Sequence, residues 1–148
     1  MYKHILLPTD GSKLSAKATK QGIDFAKSID AQITAIHVAP EFQMVIDEGF
    51  VMPTVMSVRK RFEEETAARS RKILDEIVSD AQAAGVVCKS ATVMSSVPYD
   101  AIIKQAKKSK CDLIMMASHG RKGLSSILLG SETAKVLTHS TIPVLVVR

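Results

Sequence analysis

Short apolar stretches alternate with stretches of helical periodicity along this chain, and this alternation constrains the fold more than any other feature. The predicted strands are His4 to Pro8, Gln32 to Val38, Val86 to Met94, Asp112 to Ala117 and Pro143 to Val147. Lys89 in the third of them indicates an edge strand. Such alternation is typical of parallel strands joined by right-handed crossover helices. The sequence therefore predicts an α/β three-layer sandwich that forms a single domain over residues 1–148.

The predicted helices are bounded by residues that favour helix ends. Ser12 is a suitable N-cap for the first helix, and Pro98 fits the first position of the third helix. The second helix is predicted over Val58 to Ala84, with Gly85 as its C-terminal stop. The fourth is predicted over about Ser131 to Ser140.

A glycine-containing loop follows the fourth predicted strand and leads into the fourth predicted helix. Gly120 is followed by nine residues and then by Gly130 and Ser131. Glycines let backbone N–H groups approach an anion without a Cβ in the way, and a helix N-terminus adds unpaired donors and a positive dipole end. Ser131 lies where an N-cap or a hydroxyl contact to phosphate is expected. Spacing alone leaves two interpretations open: a phosphate cradle, or a loop whose glycines serve only turns.

The glycines do not form either of the two common nucleotide-binding motifs. No GK[ST] follows them, which excludes a P-loop, and GxGxxG is absent from the first strand-to-helix turn. That turn is Thr9-Asp10-Gly11, and it places Asp10 at the carboxyl end of the first strand. Asp10 could serve as a turn and capping acid, or it could bind a ribose hydroxyl or a metal-bound phosphate.

The stretch SHGRKGLSSILLGS, with its spacing of Gly120 and Gly130-Ser131, resembles the ATP-binding loop of the universal stress protein family. The likeness extends over nearly the whole chain, including ILLPTDGS at the first turn and GLSSILLGSETAKVLTHSTIPVLVV at the end. The resemblance implies a five-stranded parallel sheet in the order 3-2-1-4-5 with helices on both faces. In such a sheet, ligands bind at the carboxyl ends of strands one and four, where the strand order reverses.

The resemblance also implies a nucleotide site between the first turn and the glycine loop. The residues that would hold the adenosine half are Pro8, Thr9, Asp10 and Val38. The residues that would hold ribose and phosphates are Met116, Ala117, Gly120, Gly130, Ser131, Glu132 and Thr133. The implied cofactor is ATP, or AMP or ADP, together with Mg²⁺.

Three positions depart from the family pattern. Ala117 stands where nucleotide-binding members have the first glycine of the loop, and Ser96 stands where a glycine often precedes the proline of the third helix. Glu132 places a carboxylate in the first turn of the fourth helix, where it favours the helix dipole but repels a bound anion. A magnesium ion could offset that repulsion.

Charge and composition limit the classes of partner. The net charge is +5, but the chain has no Trp and no aromatic residues interleaved with its lysines. A solvated basic face is therefore favoured over a nucleic-acid surface. No run reaches the roughly 18 apolar residues of a membrane span, and the first residues lack the layout of a signal peptide. We expect a cytoplasmic protein. The scattered cysteines and histidines indicate no metal site.

We expect a regulatory stress-response protein, not an enzyme, in which ATP serves as a signal, because the glycine loop offers no evident base to orient a phosphoryl transfer. Two alternatives stay open: a slow ATPase or autophosphorylating enzyme, and an interaction module of the same fold that binds no nucleotide. In the implied strand order, Thr141 to Val147 is an apolar sheet edge, which predicts a homodimer through strand five. The Met-rich connection 41–57 is either a surface for a protein partner or a loop packed on the core.

Overall fold

Strands and helices alternate along the chain in the predicted order. The computed structural model describes residues 1–43, 53–120 and 129–148. The strands are β1 (His4–Thr9), β2 (Gln32–Ala39), β3 (Cys88–Met94), β4 (Leu113–Ala117) and β5 (Val144–Val147). The helices are α1 (Lys13–Ser28), α2 (Pro53–Ala83), α3 (Pro98–Lys108) and α4 (Ser131–His139).

The five strands form one parallel sheet in the order β3-β2-β1-β4-β5, which confirms the fold class and strand order that the resemblance implied. Strand β1 lies at the centre, where it pairs with β2 on one side and with β4 on the other. Strands β3 and β5 form the two edges, and the edge position of β3 agrees with the presence of Lys89 in it. Because the strand order reverses beside β1, the loops after β1 and β4 begin at adjacent strand ends.

Helices cover both faces of the sheet because both faces of its central strands are apolar. Ile5 and Leu7 of β1 pack with residues of α1 and α2 on one face. Leu6, between them, packs on the other face with residues of α3 and α4, including Ile102 and Val136. Each of the three β1 side chains is at most 1% exposed. This burial on both sides explains why β1 is a continuous apolar run instead of an alternating one.

Helix α2 begins at Pro53, so the predicted start at Val58 is wrong. Proline suits the first position of a helix because its φ is already helical and its missing N–H has no intrahelical acceptor there. The absence of a clear apolar period before Val58 concealed this first turn. Residues 53–57 thus belong to the helix and not to the predicted connection 41–57.

The rest of that connection is described only at its start. Residues 44–52 lie outside the described residues. Phe42 packs against Phe62 of α2, with ring centroids 5.5 Å apart. This contact places the start of the connection against α2, and both interpretations, a loop packed on the core and a partner surface, stay predictions.

Strand β3 begins at Cys88, so the predicted start at Val86 is wrong. The reason is that Val86 still takes part in the end of α2. Gly85 has a φ of 78°, the left-handed conformation that favours glycine after a helix. The N–H of Val86 donates to the carbonyl of Ala81 at 2.8 Å. Val86 therefore closes the helix before the chain can join the sheet.

The exposed side of α2 is charged, with ion pairs such as Arg59–Glu63 at 2.8 Å and Arg61–Glu65 at 3.0 Å. Both pairs are four residues apart and exposed to solvent, which screens their charges, so each adds little to the stability of the helix. None of the helices in the described part of the chain is long and apolar enough to cross a membrane.

Candidate functional site

Side-chain hydrogen bonds hold the turn that follows β1. Asp10 accepts the N–H of Ser12 on its Oδ1 at 2.9 Å, and Gly11 has a φ of 76°, which favours glycine. The Oγ of Ser12 accepts the N–H of Ser15 at 3.2 Å, which confirms Ser12 as the N-cap of α1. Thr9 Oγ1 lies 3.1 Å from Ser15 Oγ in a buried contact. Together these bonds fix the carboxylate of Asp10 at the carboxyl edge of the sheet.

A backbone hydrogen bond joins the residue after β4 to the residue before α4. The N–H of Gly130 donates to the carbonyl of Ser118 at 2.7 Å. A Cβ on Gly130 would lie 3.2 Å from both that carbonyl oxygen and the Cα of His119. The φ of Gly130 is −56°, which any residue adopts, so close approach and not an unusual backbone angle favours glycine here. Because this N–H is already bonded, it is not one of the free donors that the glycine pattern predicts.

Gly120 joins the loop after β4 to the turn after β1. A Cβ on Gly120 would lie 2.6 Å from Oδ2 of Asp10, which is closer than such atoms approach in proteins. Because Gly120 has no side chain, the carboxylate of Asp10 can lie in contact with this loop. The two loops that the resemblance placed on either side of a crevice do meet there.

The first turn of α4 lies beside this contact. The first helical bond runs from the N–H of Ala134 to the carbonyl of Gly130 at 2.9 Å. The N–H groups of Ser131, Glu132 and Thr133 therefore have no acceptor within the helix. Gly130 is the N-cap, so the expectation of Ser131 as the N-cap is wrong. Of the two roles considered for the Ser131 hydroxyl, a contact with a ligand stays a prediction.

Thr133 ties α4 to the end of β4. Its Oγ1 donates to the carbonyl of Ala117 at 3.0 Å, and the residue is only 3% exposed. This bond and the Gly130–Ser118 bond hold the first turn of α4 against the strand.

These loops and helix ends surround a cavity of about 350 Å³ at the carboxyl edge of the sheet. Small-molecule sites commonly enclose roughly 300–1,000 Å³, so the cavity lies at the lower end of that range. All eleven residues predicted for the nucleotide site line it: Pro8, Thr9, Asp10, Val38, Met116, Ala117, Gly120, Gly130, Ser131, Glu132 and Thr133. The structure thus brings the predicted residues together, and their contact with a ligand stays a prediction.

The model of the Universal stress protein family matches residues 1–148. This chain belongs to the universal stress protein family. The universal stress protein MJ0531 of Methanocaldococcus jannaschii is 35% identical to it, over all of this chain and 83% of that relative. The solved structure of MJ0577 from the same organism has a TM-score of 0.83 at 30% identity, and the match covers 99% of this chain and 96% of that one.

A crystal structure of a universal stress protein in complex with cAMP also has this fold. Its TM-score is 0.70 at 25% identity, and the match covers 99% of this chain and 97% of that one. The family assignment is therefore confirmed over residues 1–148, and the fold that the resemblance implied is confirmed for the described residues.

Within this universal stress protein, Glu132 caps a helix other than its own. Its Oε2 accepts the N–H of Tyr99, the second residue of α3, at 2.8 Å. The N-cap of α3, Val97, provides no side-chain hydrogen bond, and Pro98 has no N–H to be capped. The other carboxylate oxygen of Glu132, Oε1, lies 3.0 Å from Nζ of Lys135. The sequence predicts an acid that complements the dipole of α4, and the structure adds its bond to α3.

The remaining lining residues are absent from the predicted set. They are Ser15, Ile36, Pro98, Ile102 and His119. Ile36 could have been found, because it lies two residues before Val38 on a strand and so faces the same way. His119 directly follows the predicted turn out of β4, and its Nδ1 lies 3.1 Å from Ser118 Oγ. Ile102 carries no such signal, because an apolar helix residue looks the same in the core and in a cavity.

Two buried or half-buried groups with shifted pKa values, His4 and Cys111, lie at the amino edge of the sheet, opposite the cavity. Burial lowers the pKa of His4, whose Nε2 lies 2.8 Å from Thr34 Oγ1, and nearby Asp112 partly offsets the effect. Asp112 also accepts the N–H groups of Lys3 and His4 at 2.8 and 2.9 Å. Burial raises the pKa of the Cys111 thiol to about 11.

Proposed function

We propose that this universal stress protein binds an adenine nucleotide, ATP or its AMP or ADP forms, in the cavity at the carboxyl edge of the sheet. One observation carries the proposal: the eleven predicted residues come from four separate parts of the chain and line one cavity. The cavity lies where open α/β sheets bind ligands, at the ends of β1 and β4. The family member that was solved in complex with cAMP supports an adenine ligand.

The lining suits the three parts of a nucleotide. Apolar side chains such as Val38 and Met116 offer a surface for the adenine ring. Asp10 offers a carboxylate oxygen to ribose hydroxyls. The free N–H groups at the start of α4, from Ser131 to Thr133, offer donors and a positive dipole end to phosphates.

In this proposal Mg²⁺ acts as the counterion of the phosphates. Within residues 1–43, 53–120 and 129–148, no group of three or more His, Cys, Asp or Glu side chains could hold a metal ion. Magnesium is commonly bound by one or two carboxylates together with phosphate oxygens. Asp10 and Glu132 are the carboxylates that line the cavity, and they fit that mode.

The nucleotide in this proposal is a regulatory signal of the stress response and not a rapidly consumed substrate. Asp10 already bonds to the N–H of Ser12, and Glu132 bonds to α3 and Lys135. Neither carboxylate is thus placed as a free base. Phosphate release from ATP should be far below the roughly 1–1,000 per second of typical enzymes. Turnover in that range that is lost in His119→Ala would favour the ATPase alternative.

Calorimetry on wild type and Gly130→Val tests the site. The valine side chain would press on Ser118 and His119, from which even a Cβ is only 3.2 Å away. Displacement of these residues at the cavity wall should weaken ATP binding roughly tenfold or more, which is a loss of at least about 1.4 kcal/mol in binding free energy. Thr138→Val is the matched control, since it adds valine to an exposed position of the same helix. Equal affinity in wild type and Gly130→Val refutes this site. A wild type that binds none of the three nucleotides favours the interaction-module alternative.

We also propose a homodimer through strand five, Thr141 to Val147. Strand β5 is a sheet edge, and its Leu145 is 42% exposed. Pairing with a second copy would satisfy the open backbone groups of that edge. Leu145→Lys should shift light scattering towards the monomer. Met94→Lys, a change of equal exposure on the opposite edge strand β3, should not. A monomeric wild type at tens of micromolar, roughly, contradicts the dimer.

A further inference from the structure

The cavity lies between the amino ends of two helices. Pro98, the first residue of α3, and Ser131, the first residue of α4, both line it. Glu132 lines it as well, and its carboxylate bridges the two helices through the N–H of Tyr99. The bridge holds a negative charge at the place where helix dipoles would otherwise favour an anion.

Lys135 balances this charge only in part. Its Nζ lies 3.0 Å from the carboxylate and 5.5 Å from the centroid of the Tyr99 ring. Glu132 lines the cavity, whereas Lys135 does not. A ligand in the cavity therefore meets the carboxylate at closer range than the ammonium group that balances it.

We propose that Glu132 sets the charge selectivity of the cavity and favours adenine ligands with few negative charges over free ATP. This inference rests on the proposed nucleotide binding and names the ligand class within it. A phosphate beside the first turn of α4 gains from the free N–H groups but is repelled by Glu132. The repulsion grows with each negative charge on the ligand, while the contacts to adenine and ribose stay the same.

Removing the charge without changing the shape isolates this effect. In Glu132→Gln the side-chain amide oxygen can still accept the N–H of Tyr99, so the bridge between the helices is retained. ATP carries about two more negative charges than AMP, so the ratio of ATP affinity to AMP affinity should rise on the order of tenfold in this variant. Adenosine, which has no phosphate, should bind within about twofold of wild type. The measurement is calorimetry at low ionic strength with EDTA.

Lys135→Met separates charge selection from a structural role. It breaks the same ion pair as Glu132→Gln but leaves the carboxylate unbalanced. The affinity ratio should therefore fall in Lys135→Met and rise in Glu132→Gln, whereas loss of a structural ion pair would move both variants in one direction. With excess Mg²⁺, which neutralises part of the ATP charge, the difference between the variants should shrink.

Asp100→Asn is the matched control. Asp100 also lies in the first turn of its helix and also pairs with a lysine, Lys104, at 2.7 Å, yet it does not line the cavity. In Asp100→Asn the ratio of ATP affinity to AMP affinity should stay within about twofold of wild type, because the charge of Asp100 is farther from the ligand and is screened by solvent.

The outcomes distinguish this inference from the proposed function. If wild type binds AMP but Glu132→Gln leaves the ratio unchanged, or both variants shift it in the same direction, the selectivity inference is wrong and nucleotide binding stands. If neither wild type nor Glu132→Gln binds adenosine, AMP or ATP, both are wrong.

Discussion

Replacing Thr133 by valine tests whether a single buried hydroxyl holds α4 in place. The Oγ1 of Thr133 donates to the carbonyl of Ala117 at 3.0 Å, and the residue is 3% exposed. Valine has nearly the same shape but puts a methyl group where the donor was. A carbon needs about 3.3–3.6 Å from a carbonyl oxygen, so the helix must shift outward or the contact must stay strained.

The expected cost follows from that geometry. A net hydrogen bond contributes about 0.5–1.5 kcal/mol, and a buried acceptor left without its donor costs about 1–3 kcal/mol. We expect Thr133→Val to lower the free energy of unfolding by about 2 kcal/mol. For a chain of this length that corresponds to a decrease in Tm of roughly 4–8 °C.

Urea unfolding followed by circular dichroism measures this change, with the m-value as a check on two-state behaviour. Thr138→Val is the matched control: the Thr138 hydroxyl donates to the carbonyl of Ala134 at 2.8 Å on the same helix, but at an exposed position. It should cost at most about 0.5 kcal/mol. Thr133→Ser, which keeps a hydroxyl, should recover much of the loss. If the two valine variants lowered the free energy of unfolding equally, burial of the Thr133 hydrogen bond would not add to its contribution to stability.

Two further predictions concern the amino edge of the sheet. Because burial lowers the pKa of His4, the unfolded chain binds more protons near pH 6 than the folded chain does. The free energy of unfolding should therefore decrease as the pH falls from about 7.5 to 5.5. Urea midpoints across this range should vary less in His4→Gln than in wild type. Cys111, with a pKa of about 11, should be alkylated by iodoacetamide at pH 8 far more slowly in the folded than in the denatured protein, as measured by mass spectrometry, and fast labelling of the native thiol would contradict its burial.

Residue types that favour helix ends indicated where three helices begin or end. Ser12 caps α1, Pro98 begins α3 and Gly85 follows α2, as each residue type favours. Pro53 carries the same signal as Pro98, but it lies in an apolar stretch without a clear period. The proline favours a helix start in both places, but without an apolar period the sequence did not reveal the start of α2.

For residues far apart in the sequence, the predicted strand order indicates only that they lie at the same edge of the sheet, and not that they are in contact. Strand order places Asp10 and Gly120 at the same end of the sheet, but not at contact distance. The bond from Tyr99 N–H to Glu132 spans 33 positions of sequence, and nothing local to either residue indicates it. A first-turn acid normally favours the dipole of its own helix, so its use by α3 follows from packing alone.

The hydrogen bond between Gly130 and Ser118 also bears on how the length of this protein can change. It holds the nitrogen of Gly130 2.7 Å from the carbonyl oxygen of Ser118, where the segment between them begins and ends. Doubling the length of a closed loop costs only about 0.6 kcal/mol. Insertions between Gly120 and Leu129 should thus cost little and leave β4 and the first turn of α4 in register. Chain length can increase at this point while the wall of the cavity stays in place.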